Sequence, residues 1–390
     1  HERPVARAGG AQTALGIVMK NVLIPYGRQS IDEADIRAVS NVLGGDWLTG
    51  GPAVTAFEEA VSGYVGAGFA VAFSSGTAAL HAATATAGLG RGDLLVTSPL
   101  TFIASANCGR YVGCDIGLTD IERETLNINM RAVPLATDAL VAVHYAGLPV
   151  DLASNENRPP IVIEDAAHAL GAETPEGKVG ACVSSDMCMF SFHPVKPITT
   201  AEGGVITTNS AERADSLRRF ASHGIRRDTT RGGWYQQVED VGFNYRLSDI
   251  QAALGLSQMS KLDGFIERRN ELASRYRDLL EDVPVALPPA APKGYRHGYH
   301  LFVIQVADRQ RVYDEMHAAG VGVQVHYVPI HHHPVSKDVR LPESGLPVCE
   351  EVYSGLLSLP MFPGLTFGQQ DHVVESLKAA VSKGAGRISG

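Results

Sequence analysis

The chain has 390 residues, 45% of them hydrophobic, and a formal net charge of −9 at pH 7; there is ample material for a large core and, by length, for roughly two to three domains. The acidic balance argues against nucleic acid as a partner, and no apolar run approaches the ~18 residues needed to span a bilayer. The five cysteines, Cys108, Cys114, Cys182, Cys188 and Cys349, show no CxxC spacing, so they read as reduced thiols of a cytoplasmic protein, not as a disulfide frame or a zinc site.

In chain order, residues 1–23 are read as a mobile extension ahead of the fold, because Met19 is followed directly by KNVLIPYGRQS and no signal-peptide pattern precedes it. From Phe69 to about Asn209, strand-like apolar runs alternate with helical ones: FAVAF, DLLVTS, DIGLTDI, ALVAVHY, PIVIEDA, DMCMFSF and GVITTN. This alternation predicts an α/β layer with a mostly parallel sheet. One long helical stretch is expected next, from Leu247 to Val283, where apolar residues recur at three- and four-residue spacing. Beyond it come YHLFVIQV, a helix around RQRVYDEMHAAG, VGVQVHYVPI and a terminal helix near QQDHVVESLKAAV, which together read as a smaller α+β domain.

The chemistry centres on Lys196, in SFHPVKPITTAEGG, which follows by 31 positions an apolar run ending on Asp165, IVIEDAAHA. A lysine amine can form a Schiff base with a carbonyl, and a buried aspartate at a strand end can keep a pyridine nitrogen protonated. Alone, such a lysine is more often a surface charge and such an aspartate a helix cap. Their company decides for pyridoxal phosphate. In FAVAFSSGTAALHAA a strand feeds a helix through Ser74, Ser75, Gly76 and Thr77, which offers backbone N–H groups and hydroxyls to a phosphate. Ligands of parallel sheets bind beyond the carboxyl ends of strands, where Asp165, Ser191 and this turn all fall. His331–His333 invite a metal reading, but three consecutive histidines cannot easily all face one ion and no helix-spaced set accompanies them. No metal is expected.

The segments IPYGRQSI (24–31), DWLTGGP (46–52), SPLTFIASANC (98–108), EDAAHALG (164–171), FSFHPVKPITTAEGG (190–204), GFNYRLSDIQAALGLSQ (242–258) and VQVHYVPIH (323–331) carry a resemblance to the DegT/DnrJ/EryC1/StrS sugar aminotransferases. It covers the chain from about Ile24 onward. The resemblance implies an α/β fold of the fold-type I class of PLP-dependent transferases, like aspartate aminotransferase. Residues 24–260 would form a large PLP-binding domain with an N-terminal arm, and 261–390 a small C-terminal domain. Relatives generally carry a full crossover helix between the counterparts of Val143 and Ile161; here DLASNENRPP implies a truncated one.

The same resemblance implies a role for each residue. Lys196 holds the cofactor as a Schiff base and shuttles the proton, while Asp165 pairs with the pyridinium nitrogen. His168 lies near the cofactor ring and Phe102 stacks on it. Ser75, Gly76, Thr77 and Ser191 bind the phosphate, and Asn244 reaches the phosphate of the neighbouring subunit, making a homodimer with shared sites. Tyr26, Trp47, Leu48, Thr49, His326 and Tyr327 contact the sugar nucleotide. The reaction implied moves an amino group from L-glutamate to the C4 ketone of a UDP-linked 4-keto-6-deoxy-N-acetylhexosamine. A different NDP-keto-sugar, aminated at C4 or C3, and a non-catalytic regulator are the alternatives. Retention of Lys196 speaks against the regulator and against the dehydratase branch, in which a histidine takes its place.

Overall fold

The computed structural model describes residues 24–154 and 158–385; the extension assigned to residues 1–23 lies outside the described residues. All seven apolar runs become strands of one sheet: β1 (Phe69–Phe73), β2 (Leu94–Thr97), β3 (Asp115–Leu118), β4 (Ala139–Val143), β5 (Ile161–Asp165), β8 (Met187–Ser191) and β9 (Gly204–Thr208). Between β5 and β8 lies a two-stranded hairpin, β6 (Glu173–Thr174) and β7 (Gly177–Lys178). The order across the large sheet is β1-β9-β8-β5-β4-β2-β3. Only β9 runs against its neighbours, pairing antiparallel with both β1 and β8. Its central strands are buried along nearly their whole length, as expected of a sheet covered on both faces, where near-continuous apolar runs replace alternation.

Helices α1 (Glu33–Leu43), α2 (Pro52–Val65), α3 (Gly76–Thr86), α4 (Ala104–Val112) and α5 (Ala211–Ala221) precede and flank this sheet. The α3 sequence GTAALHAATAT is nearly all small residues, and eight of its positions are buried. Short side chains let its backbone lie close to β8 and β9, which fixes its N-terminus over the strand ends. Between β4 and β5 the chain makes a 3-10 turn at Tyr145–Gly147, and no α-helix follows among the described residues, in line with a truncated crossover. Gly147 adopts φ +103°, and a Cβ there would lie 2.8 Å from the His168 carbonyl and 3.0 Å from the Tyr299 nitrogen. Only glycine allows those backbones to close on the site.

The long helix expected over 247–283 is two helices, α6 (Asp249–Met259) and α7 (Leu262–Leu279), separated at Ser260–Lys261. The break follows from a buried acid. Asp35 of α1 is fully buried and accepts from Ser257 Oγ at 2.7 Å, Gln258 Nε2 at 2.8 Å and Lys261 Nζ at 2.8 Å. Lys261 also reaches Asp32, the N-cap of α1, at 2.6 Å. A buried carboxylate must be paired, and turning the chain at Lys261 brings the ammonium to it.

An exposed hairpin, β10 (Ile225–Arg227) with β11 (Gln236–Val238), precedes α6. The C-terminal part contains β12 (Phe302–Gln305) paired antiparallel with β13 (Leu356–Leu359), and α8 (Arg309–Ala318), α9 (Pro347–Gly355) and α10 (Phe367–Ala385). It packs around its own apolar cluster, with Phe302, Ile304, Met316, Leu357, Leu359 and Leu377. Helix α7 spans both regions: Leu262 and Ile266 pack with Phe57 and Phe192, whereas Leu272 and Tyr276 pack with Phe302. Ile24 also joins the C-terminal cluster through backbone bonds to Gly320 and Gly322. No helix among the described residues is long and apolar enough to cross a membrane.

Candidate active site

Four parallel strands and the reversed β9 bring their ends to one edge of the sheet, around a cavity of about 290 Å³. The turn after β1 supplies Ser75, Gly76 and Thr77; the loop after β2 supplies Thr101 and Phe102; the end of β5 supplies Asp165 and His168; β8 ends at Ser191; and the loop entering β9 supplies Lys196 and Glu202. The C-terminal part contributes His300, His326 and Tyr327, and the N-terminal arm contributes Tyr26.

Lys196 is held by a closed loop. Phe192 O accepts from Thr199 Oγ1 and from Thr200 N, both at 3.0 Å, and Lys196 N donates to His193 O at 2.9 Å. Burial in the cavity wall disfavours the ammonium and brings the Lys196 pKa down to about 8, although the Asp165 charge pulls the other way. A larger share of neutral, nucleophilic amine at neutral pH follows. Asp165 is itself buried, which pushes its carboxyl upward; hydrogen bonds from Ser105 Oγ at 2.7 Å and Ala167 N at 3.2 Å oppose the rise. An acid in this environment is stabilised as the anion when a cationic partner comes against it.

At the other end of the cavity α3 begins. Ser75 caps it by accepting from Ala78 N at 3.1 Å, which leaves the first-turn N–H groups of Gly76 and Thr77 aimed outward. A Cβ on Gly76 would lie 3.1 Å from Ser191 Cβ and 3.2 Å from Met189 Sδ, and one on Gly204 only 2.5 Å from Ser75 O. Two glycines thus keep an anion cradle open.

The walls are aromatic and histidine-rich. Phe102 is 56% exposed at the mouth, its ring centroid 6.0 Å from that of Tyr327. The Tyr327 hydroxyl lies 2.9 Å from His168 Nε2, while the buried Nδ1 of His168 has no partner. His168 and His300 pack against each other with centroids 4.4 Å apart and rings tilted by 37°, and burial pushes both well below the usual imidazole range. His326 is likewise brought down to about 3 by burial; its Nδ1 lies 2.9 Å from Ser358 Oγ, and its carbonyl accepts from the buried Tyr145 hydroxyl. Burial thus favours the neutral form of all three rings.

Of the residues singled out in the sequence, Tyr26, Ser75, Gly76, Thr77, Phe102, Asp165, His168, Ser191, Lys196, His326 and Tyr327 line this one cavity. Trp47, Leu48, Thr49 and Asn244 do not. They lie together elsewhere on the surface, where Thr49 bridges Ser248 and Asn244 bridges Ser222; Trp47 is 58% exposed. Sequence reasoning missed Ser105, the partner of Asp165, because the two are 60 residues apart. It also missed His300 and Glu202, which lie inside motif-like runs but have no spacing that marks them.

Residues 29–378 match the profile of the DegT/DnrJ/EryC1/StrS aminotransferase family. The chain belongs to that family. It is 36% identical over 387 residues to the spore coat polysaccharide biosynthesis protein SpsC of Bacillus subtilis, covering 94% of this chain and 99% of the relative. It is 34% identical to the UDP-4-amino-4-deoxy-L-arabinose–oxoglutarate aminotransferase of Shewanella sediminis, covering 93% and 99%. The structure superposes with a TM-score of 0.86 on Helicobacter pylori PseC, an aminotransferase of pseudaminic acid biosynthesis, at 30% identity and with 92% and 99% of the two chains covered. This DegT/DnrJ/EryC1/StrS protein is therefore a sugar aminotransferase.

Proposed function

We infer that this aminotransferase uses pyridoxal 5'-phosphate to move an amino group from L-glutamate to the C4 ketone of UDP-2-acetamido-2,6-dideoxy-β-L-arabino-hex-4-ulose. The observation that carries the reading is the pairing, in one cavity, of a lysine amine of lowered pKa with a buried aspartate, opposite an open helix N-terminus. The residues fit the cofactor: the cradle at Gly76 would fill with any larger side chain, and His168 presents a buried, unpartnered Nδ1.

Lys196 would hold the cofactor, Asp165 its ring nitrogen, Phe102 and His168 its ring, and Ser75, Gly76, Thr77 and Ser191 its phosphate. When bound, pyridoxal phosphate supplies an electron sink for the charge left when a proton leaves the amino-bearing carbon. Lys196 Nζ takes that proton as general base and returns it as general acid, a role for which a pKa near 8 is suited. Asp165 keeps a proton at the ring nitrogen by pairing as the anion, oriented by Ser105 and Ala167. Tyr327 and His168 hold each other in place, and the neutral histidines add no competing positive charge. Tyr26, His326 and Tyr327 would face the sugar.

Asn244, exposed and outside the cavity of its own chain, suits a homodimer in which it reaches the partner's site, with Trp47, Leu48 and Thr49 on the same surface. The Shewanella sediminis relative names oxoglutarate, the product left by a glutamate donor, and a UDP-linked 4-amino-pentose; a UDP-4-keto-pentose is accordingly the second substrate reading. The test is a two-stage reaction. Glutamate should bleach the visible cofactor band, and its return is then followed with UDP-4-keto-6-deoxy-N-acetylhexosamine, UDP-4-keto-pentose and dTDP- and 3-keto-sugars, with mass spectrometry of products. Return with the pentose alone replaces the hexosamine reading, and no bleaching by glutamate rejects the donor.

A further inference from the structure

The three consecutive histidines at 331–333 lie away from the cavity lining, and the fold gives two of them a partner that sequence spacing conceals. The 3-10 turn Ile330–His332 is seated by the fully buried Ile330 and by its N–H, which donates to Pro99 O at 2.9 Å. From that turn His331 and His332 both point at the first turn of α9. There Nε2 of His331 and Nε2 of His332 lie 2.5 Å and 2.7 Å from the same atom, Oε1 of Glu350. The two rings have centroids 4.5 Å apart at 71°. Helix α9 is itself fixed: the Asp120 carboxylate accepts from Val348 N and Cys349 N, each at 2.9 Å. Both halves of the cluster are therefore anchored to rigid structure.

We propose that His331, His332 and Glu350 form a binding site for a divalent transition-metal ion of the zinc class. Their donor atoms all lie within 4.8 Å of one another, the one such group among the described residues. Two imidazoles and one carboxylate, with a fourth position left to water, form a recognised zinc set. Bonds of about 2.0–2.2 Å to one ion need donor atoms roughly 3.3 Å apart in tetrahedral geometry, a small opening of the present contacts. His332 and Glu350 are exposed and free to make it. The ion would replace two N–H groups that crowd one carboxylate oxygen. Imidazole donors favour zinc, copper and nickel over magnesium, which prefers oxygen ligands and retains its waters.

The same geometry bounds the affinity. Nδ1 of His331 is buried and has no hydrogen-bond partner; a ligating histidine that lacks such an acceptor loses roughly 10–100-fold in affinity. The site is thus a moderate, exchangeable one, and it ties the segment that follows His326 and Tyr327 to α9.

Isothermal titration of Zn²⁺ into chelator-stripped holoenzyme tests this, with Mg²⁺ as the control ion. About one Zn²⁺ should bind per chain with the heat signature of a single saturable site, and Mg²⁺ should give none. His332→Ala and Glu350→Gln, both at exposed positions that leave the core untouched, should each weaken Zn²⁺ binding by at least about tenfold, since losing a ligand exceeds the loss of its supporting bond. Unchanged Zn²⁺ affinity in either variant, or no saturable binding to the wild-type chain, overturns the proposal. Because the readout is binding heat, the outcome is independent of which sugar the enzyme aminates.

Discussion

Replacing Lys196 by methionine should make the cofactor-free protein more stable at neutral pH. An ordinary lysine titrates at 10.5, and Lys196 titrates at about 8. Folding therefore disfavours the ammonium by about 2.5 pK units, or about 3 kcal/mol at ~1.36 kcal/mol per unit. Solvent in the open cavity screens part of this, leaving about 2 kcal/mol. The sign follows from proton counts. Between the folded and unfolded values the unfolded chain binds more protons, so the penalty is complete below pH 8, shrinks as the pH rises, and vanishes above 10.5. Met fills a similar volume without a charge. Urea denaturation of apo wild type and apo Lys196→Met at pH 7 and pH 9.5 measures the difference. The variant should gain about 2 kcal/mol at pH 7 and roughly half that at pH 9.5. A variant less stable than wild type at pH 7, or a gap that does not narrow with pH, would refute a cation-disfavouring environment and with it the activated amine.

Three further outcomes follow from the same geometry. Asp165→Asn should retain bound cofactor yet lose kcat by several orders of magnitude, whereas Ser105→Ala, which removes only the 2.7 Å bond to Asp165, should lower it roughly ten- to a hundredfold, in keeping with ~1.5–3 kcal/mol for a hydrogen bond to a charged group; equal losses in both would show that Asp165 does not act through its charge. Asp35→Ala breaks the bonds that join α1 to α6 and leaves Lys261 with Asp32 as its acidic partner, and should lower stability by about 2 kcal/mol in a denaturant titration. Burial pushes the Asp35 carboxyl upward, but the bonds from Lys261 and Ser257 outweigh it and hold the group below its usual value, so this contribution is complete above the ordinary carboxylate value and is lost as the pH falls from there through the lowered folded value. Mixing Lys196→Ala with Asn244→Ala protomers, each inactive alone, should restore one native site per heterodimer; verified heterodimers with no activity would put Asn244 outside the partner's site.

The sheet was legible in the chain because each of its strands is a short apolar run closed by turn residues, a signal local enough to read without knowing the partner strand. The motif residues were legible for a related reason. Asp165, Ser191 and the Ser74–Thr77 turn each end a strand, and strand ends of a parallel sheet must gather at one edge. The helix break at Lys261 was not legible, since nothing in the periodicity of α6 and α7 reveals that Asp35, more than 200 residues earlier, is buried and needs an ammonium. The same blindness hid Ser105 behind Asp165 and Glu350 behind His331 and His332.

What the amino-acid sequence determined by itself, then, is the strand-and-helix alternation, the family, and Lys196 and Asp165 as the candidate pair, because these depend on residue type and near-neighbour spacing. Tertiary structure alone decided that His300 joins the cavity wall, that burial brings Lys196 down to about 8, and that Trp47, Leu48, Thr49 and Asn244 stand outside their own chain's cavity. Desolvation and hydrogen bonding between distant segments are properties of the packed interior, and they come into being only when the chain has closed on itself.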